Sequence, residues 1–216
     1  MLLLYAVILG LIAGLLTGGK LTALGSAHIR LWPVALIGLL AQLLLFSSPL
    51  AVVVGPWGPS LYVLSTVAVL MALVVNLRQP GFWLIIIGAL ANFTVIVLNG
   101  GQMPAAPDAW AALTGVAAVP TTDFSNSALA GPDTALAFLG DNFVLPPPIP
   151  LANVFSIGDV LIGAGGALFV FQQMHGRVLP RLLRPGAHVA PTARVAPRAR
   201  VASDSRISTG ARSAHG

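Results

Sequence analysis

The 216-residue chain has no cysteine, no glutamate, a single lysine and only 8% charged residues. Without cysteine there is no disulfide, no thiolate nucleophile and no thiolate metal ligand. Without glutamate, all carboxylate chemistry falls to six aspartates. The four histidines, His28, His175, His188 and His215, show no carboxylate or cysteine spacing that makes a metal site. No phosphate loop, dinucleotide fingerprint or serine-nucleophile elbow is present, so no cofactor is expected. Charge is also too scarce to cover a soluble globule in a chain that is 56% hydrophobic. That composition is the mark of an integral membrane protein.

Five apolar stretches approach the roughly 20 helical residues needed to cross a bilayer: 2–18, 32–54, 60–77, 82–98 and 156–173. Their separators, "TGGK", "GPWGPS" and "RQPG", are strong helix breakers. The first stretch lacks a basic segment before it, and Lys20 follows it, which fits an uncleaved helix better than a secretory signal. Lys20, Arg30, Arg78 and eight arginines between Arg177 and Arg212 fall on one side of alternating crossings, whereas the segment 99–155 has four aspartates and no basic residue. The excess of basic residues on one side makes that side cytoplasmic. The expected fold is an all-α bundle of five transmembrane helices over residues 1–177, in the plasma membrane, with the N-terminus outside and the C-terminus inside. The lipid bilayer is its first partner.

Gly10, Gly14 and Gly18 form a smooth stripe that suits a close helix–helix contact. Gln42, Asn76 and Asn92 lie in or near the spans, where they either bond between helices or line a polar cavity. The 99–155 connection is too long for a simple turn. "PDAWAALTG" and "PDTALAFLGDNF" each open like a short interfacial helix, and "PPPIP" at 146–150 reads as an extended piece. These helices are expected to roof the outer end of the bundle and return Asp141 to membrane level.

Ser156-Ile157-Gly158-Asp159 has the spacing of a capping box, which explains a carboxylate at the mouth of the last helix without any chemistry. It leaves Asp141 unexplained, a second carboxylate 18 residues earlier on the same side. Two carboxylates that meet can share one proton, one acting as base toward water and the other as acid toward a leaving nitrogen. Residues 139–165 resemble the lipoprotein signal peptidase family, whose last helix begins Phe-Asn-x-Ala-Asp-x-x-Ile-x-x-Gly. Phe155, Asp159, Ile162 and Gly165 match, Ser156 and Gly158 replace the Asn and Ala, and the Gly-Asn-x-x-Asp-Arg segment of that family is absent before Asp141. The resemblance implies catalytic roles for Asp141 and Asp159.

Across residues 1–175, "LNGGQMPAAPDAW", "LAFLGDNF" and "NVFSIGDVLIGAGG", with Gln42, resemble an uncharacterised family of small bacterial multi-span membrane proteins, a domain of unknown function. That resemblance implies architecture and no activity. "NGGQMP" reads either as a helix cap and turn or as part of a ligand pocket, with Asn99, Gln102 and Ser156 as binding candidates beside the two aspartates.

Beyond residue 177 the composition changes. VAPTAR, VAPRAR, VASDSR and ISTGAR, residues 189–212, repeat every six residues and resemble the hexapeptide repeats of parallel β-helices. Four such repeats are too few to bury a core, so residues 178–216 read as a basic tail, either weakly coiled or disordered. Its arginines suit an anionic lipid surface, and no aromatic partner or known module points to nucleic acid. Three functions stay open: a non-catalytic scaffold or small-ligand binder at the outer face, a signal-peptidase-like aspartyl protease, and a transporter subunit.

Overall fold

The computed structural model describes residues 2–45, 54–115 and 127–176. The hexad tail and its repeats therefore lie outside the described residues. The chain is mostly helical, with α1 at Leu2–Leu16, α2 at Trp32–Leu45, α3 at Gly58–Val75, α4 at Phe82–Leu98, a short α5 at Pro107–Thr114, and α6 at Ile157–Met174. Two helical segments, Gly55–Val75 and Ile157–Met174, are long and apolar enough to cross a membrane; α1, α2 and α4 are apolar but shorter.

Glycine sets how these helices meet. Along α1 and α6, a Cβ at Gly10 would stand 2.6 Å from the Ala167 carbonyl and one at Gly14 would stand 2.5 Å from Met174 Sδ. Gly163 meets Ala6 farther up, so the two helices run parallel. Gly10 and Gly14 are thus covered within the chain, whereas Gly18 leaves the stripe and turns the backbone at φ 86°. Helices α4 and α6 run antiparallel: Gly88 abuts the Gly158 carbonyl, and a Cβ at Gly165 would stand 2.6 Å from the Gly81 oxygen. Small residues allow this approach, which leaves no room for a side chain between the backbones. The third pair, α2 and α3, is joined by Gln42 Nε2 donating to Thr66 Oγ1 at 3.0 Å. Buried Asn76 fastens the end of α3 to the Arg30 backbone, donating to its carbonyl at 2.6 Å and accepting from its amide at 2.8 Å.

Helix α4 ends as its sequence directs. Gly100 and Gly101 take φ of 70° and 88°, and the Gly101 amide returns to the Ile96 carbonyl at 2.8 Å, a Schellman-type close. The chain then enters the segment that separates α4 from α6, and here the all-α expectation fails. Strand β1 (Met103–Ala105) pairs in parallel with β2 (Ser127–Leu129), and β3 (Phe143–Leu145) pairs antiparallel with β4 (Asn153–Phe155). Of the two interfacial helices expected there, the first is α5, but the second shrinks to a single 3₁₀ turn, Ala137–Leu139. "PPPIP" does not stay extended either. It folds into the β3–β4 connection, closed by the Ile149 amide on the Pro146 carbonyl at 2.9 Å. Proline presets the φ of a turn's second residue as readily as it presets an extended chain, and the pairing of β3 with β4 decides between them.

This segment caps one end of the bundle. Tyr5 of α1 donates to the Pro150 carbonyl at 2.6 Å, and Asn99 at the end of α4 grips Ala135 from both sides of its peptide. Buried Val95, Ile96 and Met103 form a small core beneath it, with Tyr62 of α3 and Leu139 packed alongside.

Candidate functional site

The site lies where the cap meets the start of α6. Ser156 is the N-cap, with extended backbone at φ −101° and ψ 170°. Its Oγ accepts the Asp159 amide at 3.0 Å, and its own amide donates to Asp159 Oδ2 at 3.1 Å, so the capping box is complete. A third residue closes the arrangement. Asn92, midway along α4, donates from Nδ2 to Asp159 Oδ1 at 2.9 Å and accepts from Ser156 Oγ at 2.8 Å. Ser156 is wholly buried, and the three side chains satisfy one another across the α4–α6 contact. Gly158 makes this possible, because a Cβ there would strike Asn92 Oδ1.

Asp141 belongs to the cap. Its backbone is threaded into the edge of β1: its amide donates to the Pro104 carbonyl at 2.8 Å, and its carbonyl accepts the Ala106 amide at 3.0 Å. The residue is buried, 8% exposed. Burial, reinforced by the charge of Asp159 and opposed by that of the amino terminus, pushes its carboxyl up to about 7. Tyr62 lies in the field of both carboxylates. Asn92, Ser156 and Asp159 thus meet from two stretches of chain, and Asp141 and Tyr62 feel the charge of Asp159.

The other candidates have different surroundings. Asn99 donates to the Val95 carbonyl at 2.8 Å and the Ala135 carbonyl at 2.9 Å, and accepts the Ala135 amide at 3.0 Å. It thereby holds the cap down beside Leu136, whose left-handed φ of 50° costs roughly 1 kcal/mol. Asn99 also lines a cleft of about 330 Å³ with Pro104, Leu129, Asp133 and Thr134. Pro104 belongs both to that cleft and to the strand on which Asp141 rests. Gln102 is half-buried between the glycine turn and β1. Among the described residues no cluster of three or more potential metal-binding side chains occurs.

Sequence reasoning noticed Asn92 as an amide within a span without placing it in the site, and Tyr62 carried no signal. Asn92 stands four residues after Gly88 and seven before Asn99, on one helical face, and that periodicity is the clue that could have found it.

No solved structure matches the chain significantly. An uncharacterized protein of Thermotoga maritima is 31% identical over 135 residues, which cover 60% of this chain and 72% of that protein. Residues 26–171, a span that contains every residue of the site, match a family model, and the chain belongs to that family, the family of unknown function DUF5317.

Proposed function

We propose that this chain is a five-span protein of the bacterial plasma membrane that binds a small amide- or peptide-like ligand at its extracytoplasmic face, through Asp141 and Asp159, without catalysis. The observation that carries the reading is the burial of Asp141, which, with the charge of Asp159, pushes its carboxyl up to about 7. A carboxyl that keeps its proton presents a donor and an acceptor together. An amide offers the complementary pair, a carbonyl oxygen and an N–H.

Membrane insertion is supported by what the helices expose. Only 11% of the apolar window in Gly55–Val75 and 22% of that in Ile157–Met174 is buried, unlike the mostly buried core helix of a soluble protein. Large apolar side chains such as Leu9, Ile37, Leu43 and Leu64 face outward. Five crossings also require α1 and α6 to run parallel and α4 to run against them, as the glycine contacts do. Lys20 and Arg30 sit at the end where α6 finishes, tied through the Met174 carbonyl and Asn76, while the cap with its aspartates sits at the opposite end. Basic residues mark the cytoplasmic side.

The same pair favours a second reading, an aspartyl protease like the signal peptidases that residues 139–165 resemble. There, two carboxyls that share one proton would supply the acid and the base needed to cleave the bound amide. Full-length protein in nanodiscs, titrated with a capped apolar dipeptide amide, tests both. Binding should be present below the Asp141 midpoint, weaken above it, and vanish in Asp141→Ala. Binding that ignores both pH and the substitution overturns the proposal. Release of cleaved peptide moves the assignment to the protease.

A further inference from the structure

Strand β2 has one neighbour among the described residues, β1, and the hydrogen bonds fix which of its groups that neighbour uses. The Ala105 carbonyl accepts the Ala130 amide at 2.8 Å, in a parallel register that sets Ala105 opposite Leu129. Ala105 therefore faces β2, while the groups on either side of it, the Pro104 carbonyl and the Ala106 amide, turn the other way to Asp141. On β2 the same alternation points Ala128 and Ala130 at β1 and the Leu129 N–H and C=O away from it. Leu129 is half-buried, and beside it opens the cleft of about 330 Å³ lined by Pro104, Ala128, Asp133 and Thr134.

A strand edge that faces no other strand offers a donor and an acceptor on one residue, the pair that an extended peptide completes when it adds as a further strand. The cleft at this edge also carries charge. Residues 131–134 close on themselves, the Gly131 amide donating to Thr134 Oγ1 at 2.8 Å and the Thr134 amide to the Gly131 carbonyl at 3.1 Å. Neither bond uses the carboxylate of the exposed Asp133. The segment 99–155 holds four aspartates and no basic residue that could pair with it. We propose that the β2 edge and this cleft bind an extended peptide segment with a basic side chain, Leu129 pairing with its backbone and Asp133 with its charge. At about 330 Å³ the cleft lies at the small end of ligand pockets, which run from about 300 to 1,000 Å³, and has room for a side chain but not for a helix about 10–12 Å across. The site does not rest on Asp141 or Asp159: a strand added to β2 lies three strand spacings, about 14 Å, from the Asp141 backbone.

The test uses the full chain in nanodiscs of zwitterionic lipid, one copy to a disc, and the capped tripeptide Val-Lys-Val. Binding should protect the Leu129 amide from hydrogen exchange, read by NMR, while the Ala130 amide, already bonded to β1, stays as it was. Val-Glu-Val should bind about tenfold more weakly or worse, as should Val-Lys-Val with N-methylated amides, which cannot pair with a strand. Asp133→Asn should lose the preference for the Lys peptide over the Glu peptide, whereas Asp108→Asn, at an exposed aspartate of α5, should keep it. No binding of Val-Lys-Val, equal affinity for the Lys and Glu peptides, undiminished binding of the N-methylated peptide, or a preference that survives Asp133→Asn overturns the proposal. The peptide comparisons are made on the wild type, so they decide even if Asp133→Asn does not fold. A Leu129 amide protected without peptide, in discs of one copy or only in discs of two, assigns the edge to the chain itself and likewise overturns the proposal.

Discussion

Replacing Asp141 with asparagine should make the protein more stable in alkaline solution and change little in acid. The carboxyl is buried and is raised from an ordinary 3.8 to about 7, first by burial and then by the charge of Asp159. The folded value lies above the unfolded one, so the native state holds the proton more tightly than the unfolded chain does. The associated stability is complete below the unfolded value, falls as pH rises through the interval, and is lost above the folded value. The difference between about 7 and 3.8 corresponds to at most about 4 kcal/mol. An asparagine imitates the protonated carboxyl at every pH. Asp141→Asn should therefore match wild type below about pH 4 and exceed its stability by up to about 4 kcal/mol above about 7. Reversible unfolding in mixed micelles, followed by tryptophan fluorescence across pH, measures both curves. Wild-type and variant curves that stay parallel would refute the buried, Asp159-coupled placement of this carboxyl.

Gly158→Ala drives a methyl group into Asn92 and should cost about 1–3 kcal/mol, whereas Gly166→Ala, whose Cβ meets only Val7 Cγ2 at 3.7 Å, should gain about 0.5–1 kcal/mol; unfolding midpoints distinguish them. Asn99→Ala removes three hydrogen bonds that hold the cap, and should raise amide exchange over residues 127–145 at a cost of about 2–3 kcal/mol. In this cysteine-free chain, an impermeant thiol reagent should label a cysteine at position 133 from outside intact cells and fail at position 78; the reverse pattern would invert the topology. Deleting residues 186–216 should leave the membrane part folded, since four hexads are too short to form a core; loss of membrane-embedded protein on truncation contradicts this.

The helices were legible because their signals are local. Phe82–Leu98 begins after Pro80-Gly81 and ends at Asn99-Gly100-Gly101, and each boundary is a matter of φ and of orphan amides within a few residues. The capping box at Ser156 and Asp159 was legible for the same reason, since donor and acceptor are three residues apart. Gly10 and Gly14 announced a close helix contact, but the partner, α6, lies more than 150 residues away and nothing near the glycines names it.

Composition and local spacing by themselves determined an apolar helical protein, the ends of its helices and the cap of the last one. The short strands were not legible, because three residues carry no periodicity and each strand exists only through its pairing, β1 with β2 and β3 with β4. Only the tertiary structure decided that Asp141 is buried, and that Asn92 reaches Asp159 while Asn99 holds Ala135. The physical reason is that a side chain's partner across a helix contact depends on the rotation and depth of both helices. Here those are set by glycine pairs at Gly81–Gly165 and Gly88–Gly158, which bring the backbones together and leave Asn92 the one space beside Gly158.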